Sequence, residues 1–466
     1  MQIPILSGIF ADGSPNFRTS YPKNMIPVPK GTGISEGYLR PGEGIVEAGT
    51  GPGNNRGGIN WNGSIYRVMG TKLVEIAQDN TVTEIGDVGG TTRVTFDYGF
   101  TYLAIASNNN LFLYDGTTLT QVTDPDIGTV LDVVWIDGYY MTTDGEFLVI
   151  TDLDDPFAVN PLKYGSSEAD PDPVKALLKL RNEVYAMNRY TIEVFDNVGS
   201  TGFPFQRIAG AQIQKGTVGT HANCVFMDSI TFLGGGFNEA PSIYMGVNGS
   251  AQKIATREIE EILQEYTETE LATAFLEERV DKAHTFLIVH LPRHTLVFDG
   301  AGSQATSQAV WFTLSSTLVG EGMWNACTCI WAYDRWNVCH PTTNQFGYLD
   351  NTISTHWGET IGWEFGTLIV YNSGQGAIFH DIELVCLTGS TAFGVDPTIW
   401  TQYSVDGDTW SAEKPIRAGK TGERNKRLMW LQQGHMRNMR MQRFRGTSDA
   451  HVAVAALEAR VEPLAF

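Results

Sequence analysis

The sequence predicts an all-β chain: a β-propeller of six or seven blades with a small helical insertion, followed by a C-terminal β-sandwich. Three observations carry that expectation. First, a unit of about 36 residues is written twice in succession, as WNGSIYRVMGTKLVEIAQDNTVTEIG from Trp61 and as DYGFTYLAIASNNNLFLYDGTTLTQVT from Asp97. In both copies a turn glycine (Gly63, Gly99) precedes an aromatic-led strand (Tyr66, Tyr102), a polar turn, a second strand and a Thr-rich third. Second, the phrase recurs with drift from Trp135, Leu180, Phe226, Ala283 and Trp331, which makes seven candidates. Third, apolar residues alternate or run for a few positions between Gly, Asn, Asp and Pro turns, the pattern of short antiparallel strands. A repeat too short to enclose its own core must stack on neighbours, and spacing that drifts from roughly 36 to 55 residues fits radial blades better than a strict solenoid.

Taken in order, residues 1–57 are rich in Pro and Gly and read as an extended arm whose apolar side chains (Ile3, Ile5, Leu6, Ile9, Phe10) lie on some other surface. Its Gly-rich end, GTGPGNNRGG, lacks the Lys-Ser/Thr of a phosphate-binding loop. The propeller is expected over 58–355. Within it, Ile259, Ile262, Leu263 and Tyr266 fall at helical spacing, and Thr267 with Glu270 forms a capping-box pattern for a second short helix through Phe275, giving the insertion at 257–275. Residues 356–466 read as successive strands of the sandwich.

Bulk composition narrows the function. Fifty Gly and 11% aromatics suit turn-dense β structure, and 18% charged residues is low for a freely exposed monomer, which points to interfaces. A net charge of −20 disfavours phosphate-neutralising nucleic-acid binding, although a duplex can pass an acidic wall without sticking. Five scattered cysteines do not make a disulfide framework. No apolar run is long enough for a membrane span, and the N-terminal stretch lacks the basic region and cleavage site of a secretory signal, so assembly in the cytosol is expected.

Charge is unevenly placed. Between Lys414 and Arg445 ten Lys and Arg face one acid, Glu423, so this stretch carries +9 and the rest of the chain −29. Opposite signs on separate domains favour contact between copies or docking to a charged partner. Arg424, Lys426, Arg427, Arg437, Arg440, Arg443 and Arg445 are the expected assembly contacts; the competing reading is solvated strand edges protected by cationic side chains.

Other residues invite chemistry and do not support it. Ser404, Asp406, Gly407, Thr409 and Trp410 resemble an Asp box one residue short of the usual spacing, a structural turn in which Asp and Ser satisfy backbone donors and Trp packs beneath. His290 and His294 have a ligand-like interval, but Pro292 breaks any helix between them, so they flank a hairpin turn. Cys327, Cys329, Cys339 and His340 have the makings of a zinc set, but cysteines at i and i+2 of a strand more simply fill a core. Asp152, Asp154 and Asp155 read as an Asp-Pro turn that needs no calcium. No catalytic, cofactor or metal residue is assigned.

Several phrases together carry a family resemblance: the arm YPKNMIPVPK with ISEGYLRPGEGI, the loop ITDLDDP, the block IEEILQEYTETELATAF leading into HTFLIVHLPRHTLVFD, and the Asp-box sandwich. In this order they resemble the tail accessory proteins of short-tailed bacteriophages, also called packaged-DNA stabilisation or tail nozzle proteins, over nearly the whole chain. The resemblance implies a non-enzymatic structural virion protein in the tail, assembled in the host cytoplasm. It implies a homo-oligomeric ring, usually of six, below the portal and its adaptor ring. Such a ring bears the tail needle, fibres or spikes and extends a channel through which double-stranded DNA is retained and passes. The alternatives are a propeller glycosidase or a glycan-binding adhesin acting on host polysaccharide; the former needs paired carboxylates and, for a sialidase, three arginines on the substrate carboxylate, which the propeller does not offer as an assignable set.

Overall fold

A computed structural model describes residues 1–12, 16–30 and 37–464; the parts of the expected arm at 13–15 and 31–36 and the last two residues of the expected sandwich lie outside it. Seven sheets of four or five strands form a ring. Six are consecutive meanders over 55–87, 95–121, 132–166, 174–207, 216–253 and 275–314, called blades 1 to 6. Their first strands neighbour one another in cyclic order around a common axis, and the first strand of blade 7, Cys327–Ala332, lies between those of blades 6 and 1. The seven recurrences read from the sequence each fall in one blade.

Local chemistry sets the blade. In six of the seven, two residues join the first and second strands, and in four of these both residues adopt left-handed backbone: Asn62-Gly63 (φ 51 and 86), Asp137-Gly138 (φ 49 and 94), Met227-Asp228 (φ 49 and 56) and Tyr333-Asp334 (φ 57 and 58). This is the two-residue turn whose twist matches antiparallel strands, and Asn, Asp and Gly tolerate it best.

Alternation in the middle strands then explains why they are apolar on both faces. In Leu103–Ser107, Leu103 and Ile105 pack into the seam with blade 1 while Ala104 and Ala106 pack into the seam with blade 3. In blade 4, Val184 and Ala186 face blade 3 while Tyr185 and Met187 face blade 5. Each of the seven seams thus has its own apolar cluster, and an eighth cluster fills the sandwich.

The region read as an extended arm is instead built into both domains. Strand Gly44–Thr50 is the outermost strand of blade 7, antiparallel to Gln345–Asp350, so the two ends of the propeller are joined within one sheet. Upstream, Gln2–Ile3, Met25–Pro29 and Gly37–Pro41 join one sheet of the sandwich beside Val454–Pro463. Ile3 and Ile5 are buried in the sandwich core, so the surface they cover belongs to their own chain. The second sandwich sheet is formed around Met439–Thr447.

The insertion comprises α1 (Arg257–Gln264) and α2 (Glu268–Leu271), with the Thr267–Glu270 capping box in place; α2 ends before Phe275, which already opens the first strand of blade 6. Among the described residues no helix is long and apolar enough to cross a membrane.

Lys23 and Asn24, just before the sandwich strand Met25–Pro29, act as a clamp between the two domains. Lys23 N–H donates to Glu364 O and Asn24 N–H to Thr313 O. The buried Asn24 amide donates to Ser315 O (2.7 Å) and Gly362 O (2.8 Å) and accepts from Ser315 N–H (2.9 Å), tying blade 6, the interdomain segment and the sandwich together. Asn24→Ala removes all three bonds and keeps a side chain at φ 52, and is expected to cost about 2–4 kcal/mol in urea unfolding. Asn24→Gly should recover the backbone part of that loss; an Asn24→Ala midpoint equal to wild type would refute the clamp.

Candidate functional site

Two regions collect the polar chemistry: the axial channel of the propeller and the basic strands of the sandwich. The channel widens into a cavity of about 390 Å³ among the first strands of the blades and a second of about 380 Å³ near the mouth, with Arg93, Thr220 and His221 lining both. Its carboxylates act across seams. Asp97 accepts from Trp135 N–H (2.6 Å), Asp132 from Leu177 N–H (2.8 Å) and Glu277 from Cys329 N–H (2.7 Å), in each case a blade holding the first strand of the next.

Environment sets each group's ionisation. Burial pushes the Asp132 carboxyl up to about 7, against the opposing pull of the Leu177 and Val133 amides. Burial also presses on Glu277, but the His290 ring at 2.6 Å, the nearby Arg93 charge and the Cys329 amide outweigh it and bring that carboxyl down to about 2. Burial, with Arg93 adjacent, lowers His221 to about 3, so its ring is neutral.

The expected metal sets resolve into packing. Cys327 and Cys339 are directly opposed across two strands and buried, with burial raising Cys339 to about 12. A bulge at Thr328 (φ 55) breaks the regular alternation between Cys327 and Cys329. His340 instead lies against Trp357. His290 and His294 flank a turn closed by Leu291 N–H to His294 O, and the His294 ring meets the Tyr266 hydroxyl at 2.6 Å. Asp155 accepts from Phe157 N–H and Asp152 pairs with Lys163. Among the described residues no group of three or more metal-ligating side chains converges.

In the sandwich, the Asp-box-like turn is stapled from within. Asp406 accepts from the amides of Asp408 (3.0 Å) and Thr409 (2.9 Å) and from the Thr409 hydroxyl, while Gly407 N–H donates to Ser404 Oγ (2.7 Å). The Thr409 hydroxyl is foremost among the donors that hold the Asp406 carboxyl well below its usual range. Gly407 (φ 87) also presents its carbonyl to Ala11 N–H, where an added Cβ would meet the Ala11 methyl. The Trp410 ring carries the Arg443 guanidinium at 4.4 Å.

The seven cations named from the sequence separate into three groups. Arg440 is buried, sandwiched between Phe379 and Tyr403 (4.4 and 3.9 Å), and donates to Gln433 O and Gln442 Oε1; it belongs to the core and is no contact. The signal was present in the strand period, which places Arg440, Gln442 and Phe444 on one face. Arg427 and Arg445 are held in two-pronged bonds by Glu383 and Glu413, Arg443 by Gln402 with Glu364 beyond, and Lys426 lies near Glu423. Arg424 and Arg437 are exposed and make no ion pair among the described residues.

Comparison with known proteins decides the family. Residues 1–354 match the family model described as the bacteriophage P22 Gp10 β-propeller, and residues 362–462 match the one described as its β-sandwich. The chain belongs to the P22 Gp10 family. Tail hub protein gp10 of Salmonella phage P22 is 28% identical to this Gp10-family chain over 489 residues, covering 99% of each. The family expected from the sequence is borne out, as are the propeller and sandwich, and the protein is a structural, non-enzymatic component of a phage tail. Solved structures give a looser likeness at 10% identity. PorZ of Porphyromonas gingivalis has a TM-score of 0.40 (79% of this chain, 46% of that one), and the Pan2 WD40 domain of Neurospora crassa has 0.43 (66% and 94%).

The buried Asp132 sets a pH dependence. With its folded value raised from 3.8 to about 7, the folded state keeps a proton that the unfolded chain has released, so this group's contribution falls as pH rises between those values. Asp132→Asn is expected to flatten the thermal midpoint between pH 5 and 8 relative to wild type; parallel profiles in a melting series would contradict this.

Proposed function

We propose that this protein is the repeating subunit of a tail hub ring, usually six copies, that sits below the portal and adaptor, extends the DNA channel, helps retain packaged genome and conducts it during ejection. The observation that carries the reading is the match of the whole chain, both domains in the same order, to a tail hub protein. The fold is suited to the task. A propeller and a sandwich tied together by an N-terminal segment that gives strands to both make a stiff wall element. Needle, fibres or spikes attach to the ring, and assembly takes place in the host cytoplasm.

The lumen is acidic in this proposal, so that duplex slides past without the counterion-releasing contacts that create affinity. Support comes from one rim of the propeller, where Asp79, Asp115, Asp137, Asp154 and Asp155 stand exposed in turns at the same end of blades 1 to 3. A tail map with a channel lined mainly by Lys and Arg would overturn this part.

The sandwich supplies the contact between copies or with the adaptor, and of the seven cations named from the sequence Arg424 and Arg437 are the ones left able to form new pairs. Arg424→Glu with Arg437→Glu is expected to reduce ring formation with portal and adaptor, seen in particle images, by about tenfold or more while the melting midpoint stays within about 1 °C. Rings unchanged in number would remove the sandwich from the contact. Arg440→Glu cannot serve this test, because burying that carboxylate between two aromatic rings is expected to unfold the sandwich.

A further inference from the structure

Arg93 stands where blades 2, 6 and 7 meet at the axis. It precedes the first strand of blade 2 and reaches across the axis, with its guanidinium stacked on the Phe275 ring of blade 6 at 3.5 Å and one nitrogen donating to Thr328 Oγ1 of blade 7 at 3.0 Å. Beside it lies the thiol of Cys327, itself raised by burial. A ring face, a hydroxyl and a thiol carry no counter-charge. Among the described residues no carboxylate forms an ion pair with Arg93, in a chain with 52 acids.

The acids near it are otherwise occupied. Asp97 is held by Lys179 and Trp135 N–H, Asp132 by the Leu177 and Val133 amides, and Glu277, which acts on Arg93 through space, by His290 and Cys329 N–H. Arg56 and Arg67 flank the same region and spend their donors on carbonyls and neutral side chains, so they add positive potential without consuming an anion. A half-buried guanidinium without a paired counter-ion is costly to the extent that water is kept from it. Here it borders cavities of about 390 and 380 Å³, sizes at which small-ligand sites begin.

We propose that the axial channel is a binding site for a small oxyanion, carboxylate or phosphoryl in type, held on Arg93 between the inner strands of blades 2, 5, 6 and 7. Phe275 and Thr328 fix the plane of the guanidinium, so that it is presented ready-oriented to planar or tetrahedral oxygens. Thr220 and the neutral His221 of blade 5 line the cavity beside it without opposing the charge. A bound anion bridges four of the seven blades and is therefore a stabiliser of the ring, present only in the folded state.

The test uses the full chain. Inorganic phosphate and, separately, citrate are titrated against chloride at matched ionic strength and the melting midpoint is followed. At ten times its dissociation constant either anion is expected to raise the wild-type midpoint by about 1–3 °C, and the rise should vanish in Arg93→Gln. Thr220→Trp, which fills the shared part of the cavity and leaves Arg93 in place, provides the second variant and should also abolish the rise. Phosphate alone or citrate alone supports the site and names its preferred oxygens. No rise with either, or a rise of the same size in both variants, overturns the proposal. Should Arg93→Gln fail to fold, selenate soaked into crystals of the wild type decides: an anomalous peak over Arg93 supports the site, and its absence there refutes it.

Discussion

Every blade of this propeller has a middle strand that is apolar on both faces, and this constraint governs the rest of the molecule. A sheet with two dry faces cannot stand alone or at the end of a row. It needs a neighbour on each side, so the row must close. Alternation along Leu103–Ser107 or His284–His290 divides each strand's side chains between two seams, and seven seams each receive a complete apolar cluster. Burial in the seams supplies the driving force; it does not by itself fix the angular order.

That order is written in polar bonds at the axis. Carboxylates of Asp97, Asp132 and Glu277 hold the first strand of the following blade by an N–H, and Arg67 holds blade 7 to blade 1 through the carbonyls of Thr328 and Asn337. Such bonds are directional, where apolar contact is not. The closing seam also has a covalent logic: Gly44–Thr50 precedes blade 1 in the chain yet completes blade 7, so opening the ring there means breaking a strand pairing. Because Gly42 N–H, just before that strand, donates to the Asn24 carbonyl within the clamp, closure of the propeller is coupled to docking of the sandwich.

Much of this was legible in the sequence, for physical reasons that also define where legibility ends. The repeat, the turn pairs such as Asn62-Gly63 and Asp137-Gly138, and the Thr267–Glu270 capping box are local, and local chemistry forced them. The fate of residues 1–57 was not local. Their low periodicity describes edge strands that borrow a sheet from elsewhere, and nothing in GIVEAGT tells which distant strand it will pair with. The channel groups were silent for the same reason: Arg93 stands in an unremarkable TTRV, and only the ring brings Phe275 and Thr328 to it from about 200 residues away.

Charge shows the same divide between counting and placement. The stretch from Lys414 to Arg445 carries +9, yet its acids of neutralisation lie outside it in the chain and beside it in space: Glu383 takes Arg427, Glu413 takes Arg445, Glu364 lies near Arg443, and Arg440 is spent inside the core. Arginine suits these duties because its planar fork can cap several acceptors at once and stack on Trp400, Trp410 or Tyr403 while doing so. A run of arginines on strands is therefore first a statement about the sheet that carries them. What is left for another molecule is the remainder after internal pairing, and in this sandwich the remainder is much smaller than the count.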